Sequence, residues 1–244
     1  GNYIAISDYR RRQLSRLLRI PRHSIRVVPD GIDIWGLLRI SPRVKDFARR
    51  QRLLLADLVM IFPSRILRRK NFEMGMLITK ELKKKGLSVR FLLTGPPDVH
   101  NPATRAYFRE LKRLQRSENL RKEVIFLAEE YPEWKSGVSD EELHSLYHLS
   151  DILLITSSQE GFGIPLIEAG AMRLPVACTD LPSLLEVAGR ETLVFSLDDA
   201  PRKVARSIVR FVESLPPHRF FRRVIRTYAW DVIFEKHLRP LAGK

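Results

Sequence analysis

The sequence has only one cysteine, Cys178, so it cannot form an internal disulfide. It also lacks any run of about eighteen apolar residues, which excludes a transmembrane helix of ordinary length. A lone thiol within an apolar stretch suits a core position in a reducing compartment, and we therefore expect a cytoplasmic protein. Apolar residues still make up 44% of the 244 residues, enough for the core of one large or two small domains.

Acidic residues are scarce relative to basic ones, 28 against 43, which leaves a formal net charge of +15. This surplus favours anionic partners such as nucleic acid, an anionic membrane surface or a phosphorylated ligand. Much of it is arginine, whose planar guanidinium suits bidentate phosphate binding. The charge is spread over predicted helices, without an aromatic-interleaved basic run. Nucleic acid is therefore disfavoured, and contact with an anionic membrane is the better expectation.

The most informative stretch lies at residues 150–186. Residues 152–155 form an apolar run that predicts a parallel strand buried on both faces. A polar turn and a Gly-x-Gly step at Gly161 and Gly163 follow, and then a predicted helix. The apolar residues 176–178 predict the next strand. The helix of this strand–turn–helix–strand unit therefore begins at the carboxyl end of the first strand.

The start of that helix predicts an anion site. Its first N–H groups have no partner within the helix, and the helix dipole favours negative charge there. Gly161 and Gly163 have no Cβ, so a phosphate can approach the backbone closely. Glu160 and Glu168 flank this site; because carboxylates repel phosphate, they are better suited to neutral hydroxyls. A nucleotide sugar offers both kinds of group, since it contains a diphosphate, a ribose and a hexose.

Residues 160–169, Glu-Gly-Phe-Gly-Ile-Pro-Leu-Ile-Glu-Ala, resemble the Glu-x7-Glu signature of retaining GT-B glycosyltransferases of family 4. The resemblance implies that Glu160 lies beside the donor sugar as the candidate catalytic residue and that Glu168 holds the ribose hydroxyls. The other residues that it implies at the donor around this helix start are Ser157, Gly161, Phe162, Gly163 and Ile164. The alternative is an ordinary βαβ unit whose glycine-rich turn serves packing.

A basic turn at residues 63–71 resembles the family's Gly-Arg-x4-Lys turn, with Arg65 and Lys70 as the matching residues. The resemblance implies that both cations bind the donor diphosphate. Fixed cations there can stabilise the charge of a leaving nucleoside diphosphate without a metal. We interpret Arg68 and Arg69 as solvated charges. Ser64 stands where the family has glycine, which can shift the turn slightly.

Three other positions bear on the resemblance. Gly95 matches a second glycine-rich turn, which the resemblance implies to lie near the sugar. Thr156 stands where the family usually has proline. Arg173 stands where glycine usually ends the signature helix, and we expect a turn of another shape there because a positive φ would strain arginine. The loop at residues 128–137 begins with residues 128–131, which correspond to the region that contacts the base in the family. Its insertion at residues 129–137 is longer than the usual connection, and both a lid and a surface loop remain open for it.

Apolar strands alternating with helices predict an α/β fold, a Rossmann-like doubly wound parallel sheet, which the resemblance identifies as the C-terminal half of a GT-B fold. Because the chain lacks an initiator methionine, we expect a piece of a longer protein. Residues 1–33 would be a remnant of the N-terminal domain with the linker, 34–226 the nucleotide-sugar-binding domain, and 227–244 a C-terminal helix returning to the N-terminal domain.

The resemblance implies a hexosyltransferase without a cofactor or a metal, using a nucleotide diphosphate sugar such as UDP-glucose or GDP-mannose. We expect no metal at His144 and His148, because no third ligand accompanies them. The fragment alone should be inactive, and its acceptor, whether a sugar, a lipid or a small molecule, is not identified. Two alternatives are a GT-B nucleotide-sugar epimerase and a non-catalytic basic module that binds membranes or partner proteins.

Overall fold

The computed structural model describes residues 3–97 and 100–242. Contacts divide the chain into a smaller unit, made of the residues up to Leu38 and from Arg219 onward, and a larger unit, Arg39–His218. In chain order the strands are β1 (Tyr3–Ala5), β2 (Ile25–Val27), β3 (Leu58–Phe62), β4 (Val89–Leu93), β5 (Val124–Phe126), β6 (Ile152–Ile155), β7 (Val176–Thr179) and β8 (Leu193–Phe195).

Helices alternate with these strands along the chain. They are α1 (Asp8–Leu18), α2 (Ile34–Leu37), α3 (Pro42–Arg50), α4 (Phe72–Lys84), α5 (Pro102–Ser117), α6 (Asp140–Leu149), α7 (Ile164–Ala171), α8 (Pro182–Ala188), α9 (Pro201–Ser214), α10 (Pro216–Tyr228), α11 (Trp230–Ile233) and α12 (Arg239–Ala242). A wider helical turn, Phe234–Leu238, joins the last two. Within residues 3–97 and 100–242, none of these helices is long and apolar enough to cross a membrane.

The larger unit is built on a parallel sheet whose order is β5-β4-β3-β6-β7-β8. Every residue of β3 and of β6 is buried, as expected for central strands covered on both faces. This confirms the predicted α/β sheet. The order reverses between β3 and β6, and open parallel sheets commonly bind ligands at the carboxyl ends of the strands at such a switch point. The basic turn and the glycine-rich turn of the sequence both lie at this switch point.

A buried carboxylate holds the two central strands in register. Asp151, only 1% exposed, precedes β6, and its Oδ2 accepts the backbone N–H of Val59 at 2.6 Å. The backbone N–H of Asp151 in turn donates to the carbonyl of Val59 at 2.7 Å. His218 Nε2 lies 3.2 Å from the other carboxylate oxygen, Oδ1. These contacts fix the relative height of the loops that follow β3 and β6.

Helix α7 ends in a left-handed residue that is not glycine. Arg173 has φ 56°, so the expectation of a differently shaped turn is wrong. The N–H of Leu174 donates to the carbonyl of Ala169 at 2.8 Å, the hydrogen bond of a Schellman ending, which requires a positive φ at the residue before it. Leu174 is buried, and its burial with that hydrogen bond offsets the strain at Arg173.

Cys178 lies in β7 and is fully buried, as predicted for a core residue. Burial raises the pKa of its thiol to about 11, because a thiolate would lose its hydration there. The thiol is therefore protonated at neutral pH.

In the smaller unit, β1 pairs in parallel with β2, and Ile32 forms a parallel bridge with Ala229. The indole N–H of Trp35 donates to Asp231 at 2.8 Å. The segment from Trp230 to Ala242 is helical throughout. That residues 1–33 and 227–244 belong with an N-terminal domain remains a prediction.

Candidate functional site

The turn after β3 and the loop after β6 are joined by hydrogen bonds. The Thr156 hydroxyl donates to the carbonyl of Asn71 at 2.8 Å, and the Ser158 N–H donates to the carbonyl of Arg69 at 2.8 Å. Asn71 adopts a left-handed conformation, with φ 47°, where α4 begins. Although Thr156 replaces the family's proline, its buried hydroxyl ties the two loops together. These bonds position the side chains that the two loops carry.

A buried ion pair lies between these loops. Lys70 Nζ is 2.6 Å from Glu160 Oε1, and each side chain is only 10% exposed. The hydroxyl of Ser157 donates to the same oxygen at 2.7 Å. Removing two charges from water is tolerated only when each is paired and hydrogen-bonded, as these are. Three residues predicted for one site are thus in contact.

Arg69 also reaches this carboxylate. Its Nη1 donates to the carbonyl of Gln159 at 3.0 Å and lies 3.6 Å from Glu160 Oε2. Arg69 is exposed, as interpreted, with 44% of its side chain accessible, but it also contacts the candidate site, which the sequence did not predict. Arg68 also lies on the surface, 64% exposed, where it pairs with Glu110 at 2.7 Å. Sequence spacing could not separate the two arginines, because their directions depend on the short helical turn that carries them.

Arg65 has no ion pair with Glu160, unlike Lys70. Its side chain is exposed, and no acidic partner is found for it in the part of the chain that the structure describes. Gly95 packs directly beneath this turn, since a Cβ there would lie 2.0 Å from the carbonyl oxygen of Ser64. The Ile66 N–H donates to the carbonyl of Pro96 at 3.3 Å. Gly95 thus lets the loop after β4 lie against the turn that presents Arg65.

The glycine-rich turn opens α7 as predicted. Gly163 has φ 90°, and a Cβ there would lie 2.6 Å from Leu184 Cδ2, so both backbone and space require glycine. Around Gly161 there is open space instead. Phe162 and Ile164 are 54% and 61% exposed. The first N–H groups of α7 therefore lie beside exposed apolar side chains and an unobstructed glycine.

Glu168 on α7 receives a hydrogen bond from a residue that was not predicted for the site. The hydroxyl of Tyr147, on α6, donates to Glu168 Oε2 at 2.8 Å. Burial and the adjacent carboxylate raise the pKa of Tyr147 well above its ordinary value, so it remains a donor. One oxygen of Glu168 is thereby oriented by Tyr147. The only sequence signal was a tyrosine among the aliphatic residues of that face.

Two further hydroxyls support the loop after β6. Thr179 donates to the carbonyl of Ser157 at 2.8 Å, and Ser183 donates to the carbonyl of Glu160 at 2.7 Å. Neither was identified from the sequence, because their partners depend on the pairing of β6 with β7 and on where α8 begins. Together they fix the backbone from which Ser157 and Glu160 project.

No group of three or more histidine, cysteine, aspartate or glutamate side chains arranged to hold a metal ion occurs within the described ranges. His144 and His148 lie on α6, and burial together with His144 lowers the pKa of His148. His144 is exposed and His148 is half-buried.

Comparison with known proteins shows similarity to enzymes of sugar transfer. The chain is 41% identical over 75 residues to the serotype-specific mannosyltransferase WbdA of Escherichia coli, which covers 31% of the chain and 9% of that protein. It is 38% identical over 97 residues to the O-antigen chain mannosyltransferase RfbU of Salmonella typhimurium, covering 40% and 25%. The chain thus spans a quarter or less of these curated relatives.

Solved structures share the fold. HepE of Anabaena, determined with UDP and glucose, superimposes with a TM-score of 0.58 at 18% identity, covering 100% of this chain and 64% of HepE. The lipopolysaccharide glycosyltransferase WaaG superimposes with a TM-score of 0.53 at 17% identity, covering 100% and 63%. The larger unit therefore has the Rossmann-like architecture of a GT-B glycosyltransferase half.

The family model described as Glycosyl transferases group 1 matches residues 44–219, more than half of the chain. The matched range includes the turn after β3, the loop after β6 and helix α7. The chain belongs to the family Glycosyl transferases group 1.

Proposed function

We propose that this chain is the donor-binding half of a retaining hexosyltransferase that uses a nucleotide diphosphate sugar. The observation that carries the proposal is the buried Lys70–Glu160 pair, 2.6 Å apart, at the switch point of the sheet. It places a cation and a carboxylate beside a glycine-rich helix start. Family membership supports glycosyl transfer, and this pair suits a ligand with both a diphosphate and sugar hydroxyls.

The diphosphate would lie against three positive features. Arg65 is exposed at the turn after β3, Lys70 lies within the same turn, and the first N–H groups of α7 lie beyond Gly163. Each is suited to an anion, and together they can stabilise charge on a leaving nucleoside diphosphate. This supports, within the proposal, a reaction without a metal.

Glu168 would accept the ribose hydroxyls. Tyr147 donates to its Oε2, which leaves Oε1 for the ligand. The hexose would lie beside Glu160. Because two relatives are named mannosyltransferases, GDP-mannose is the first donor to test, and because HepE was determined with UDP and glucose, UDP-glucose is the second. Retention of configuration rests on the resemblance of residues 160–169.

The location of the protein stays a prediction. A cytoplasmic protein with contact to an anionic membrane would agree with its net charge of +15 and with a lipid acceptor.

Calorimetric titration of the chain with UDP, GDP, ADP, UDP-glucose and GDP-mannose tests the donor site. We expect one nucleotide series to bind, and Lys70→Ala and Glu168→Ala each to weaken that binding by about tenfold or more, since each removes a charged or hydrogen-bonded contact. Arg68→Ala is the matched control, because it removes an adjacent charge that pairs with Glu110 on the surface. Binding unaffected by EDTA would support the absence of a metal requirement.

A folded wild-type chain that binds none of these nucleotides would contradict the proposal. Turnover is to be measured on the longer protein with an acceptor. Release of free nucleotide from the donor at an undiminished rate without any acceptor would favour the epimerase alternative. Binding of anionic vesicles that persists in a Glu160→Ala and Glu168→Ala double variant, without nucleotide binding by the wild type, would favour the non-catalytic basic module.

A further inference from the structure

Lys70 has two anionic partners in the proposed function. Its ammonium is paired with Glu160, at 2.6 Å, in a site where each side chain is 10% exposed. When a diphosphate binds, the same single positive charge is shared with the phosphate oxygens. The negative charge of Glu160 is nearly buried, so it is destabilised when Lys70 turns toward the phosphate and a second anion comes close. A second cation beside Glu160 would offset this cost.

Arg69 is placed to be that second cation. Its guanidinium lies 3.6 Å from Glu160 Oε2, the oxygen opposite to the one that Lys70 contacts. Nη1 also donates to the carbonyl of Gln159 at 3.0 Å, which keeps the guanidinium on the loop that carries Glu160. Guanidinium has five N–H donors in a planar fork, so one group can serve a carbonyl and a carboxylate together.

The backbone of Arg69 is held on the same loop. Its carbonyl accepts the Ser158 N–H at 2.8 Å and the Ser158 hydroxyl at 3.2 Å. Both the main chain and the side chain of Arg69 therefore contact residues 158–160. Lys70, by contrast, reaches Glu160 by a flexible side chain whose ammonium can turn to another oxygen without moving the backbone.

We propose that Arg69 is a positioning residue that takes over as the counter-ion of Glu160 when Lys70 binds the donor diphosphate. This inference rests on the proposed function of the site. Arg69 itself does not contact the phosphates. Its effect is to release Lys70 from Glu160, and to hold Glu160 in place beside the sugar while Lys70 is engaged.

Two other roles would use the same guanidinium, and each predicts a different coupling. If Arg69 bound the diphosphate directly, its loss would weaken binding by the same factor whether or not residue 160 were charged. If Arg69 only held the loop in place, its removal would also change diphosphate binding by a factor that does not depend on the charge at residue 160. If Arg69 is the counter-ion, its removal weakens diphosphate binding only when residue 160 is charged and competes for Lys70.

A double-mutant cycle distinguishes these roles. Wild type, Arg69→Gln, Glu160→Gln and the double variant are titrated calorimetrically with UDP and GDP. We expect Arg69→Gln to weaken diphosphate binding by about tenfold, and to weaken it by less than about twofold in the Glu160→Gln background. Arg69→Lys, which keeps the charge, should recover affinity to within about threefold of wild type.

Arg68→Gln is the matched control, because it removes one charge at the adjacent position while its partner Glu110 lies elsewhere on the surface. It should change diphosphate affinity by less than about twofold, which measures the effect of net charge alone. Circular dichroism and thermal unfolding confirm that each variant is folded.

Equal losses in both backgrounds, or no loss in either, would overturn the inference while leaving the donor site intact. Failure of the wild type itself to bind UDP or GDP would instead overturn the proposed function, and this inference with it. A turnover measurement on the longer protein gives a second readout: Arg69→Gln should raise KM for the donor more than it lowers kcat.

Discussion

Glu160 and Lys70 are 90 positions apart in the chain and share a 2.6 Å hydrogen bond. Each residue alone is an ordinary surface type, and each becomes unusual only by being nearly buried with the other. Tyr147 and Glu168 show the same pattern at 2.8 Å. The candidate site is therefore built from paired side chains, because a charge or a polar group excluded from water must be hydrogen-bonded by a specific partner.

Arg173 offers a test of backbone strain. Arg173→Gly should raise the free energy of unfolding by about 1 kcal/mol, because glycine adopts a positive φ without the steric cost that arginine incurs. Urea denaturation measures this change. Arg173→Ala is the control: it removes the same side chain but keeps a Cβ, so it should give no gain. Equal stabilisation by both substitutions would show that the side chain, and not φ 56°, carries the cost.

At the scale of elements, the site depends on where strands end. Because β3 and β6 are neighbours in a parallel sheet, the turn carrying Lys70 and the loop carrying Glu160 emerge at the same edge. Asp151 sets the relative height of these two strands through Val59. A residue outside the candidate site, Asp151, thus helps to set the distance between Lys70 and Glu160.

Replacing Asp151 tests this register contact. Asp151→Ala should lower the free energy of unfolding by about 2–3 kcal/mol, because the buried N–H of Val59 loses its acceptor. Asp151→Asn keeps an oxygen that can accept this bond and should cost clearly less. Urea or thermal denaturation of the two variants measures this change in the free energy of unfolding. If Asp151→Ala lowered the free energy of unfolding no more than Asp151→Asn does, the carboxylate would have no role in holding the register.

Much of the element level could be predicted before the structure. The apolar runs at residues 152–155 and 176–178 are buried strands, and the glycine-rich turn opens α7, because hydrophobic runs and glycine reflect local backbone preferences directly. The contact of Arg69 with the candidate site and the positive φ of Arg173 were not predicted, for different reasons. The direction of Arg69 is set by a contact with a distant loop, whereas the conformation of Arg173 is imposed by the burial of Leu174.

At the scale of the whole molecule, the net charge of +15 acts on every anion that approaches. Its long-range part is screened by salt, whereas the short contacts at Lys70 and Glu160 are nearly buried and are screened less. The two contributions to binding a nucleotide can therefore be separated by ionic strength.

Raising NaCl from about 0.1 M to about 1 M shortens the Debye length from about 10 Å to about 3 Å. We expect the affinity for UDP or GDP to fall by about tenfold over this range, because long-range attraction to the diphosphate is lost. Uridine and guanosine, which carry no phosphate, are the control ligands and should change little. A diphosphate affinity independent of salt would mean that local contacts alone supply the binding energy.

The sequence by itself determined the fold class, the family, and the two segments that form the site, because each depends on local features: apolar runs, glycine at a helix start, and a short motif with fixed spacing. The tertiary structure alone decided which side chains meet. Lys70, Arg69 and Ser157 converge on one carboxylate, Tyr147 orients another, and Asp151 holds the strands that bring them together. Such partnerships arise from strand order and from the need to satisfy buried polar groups, which no stretch of sequence records on its own.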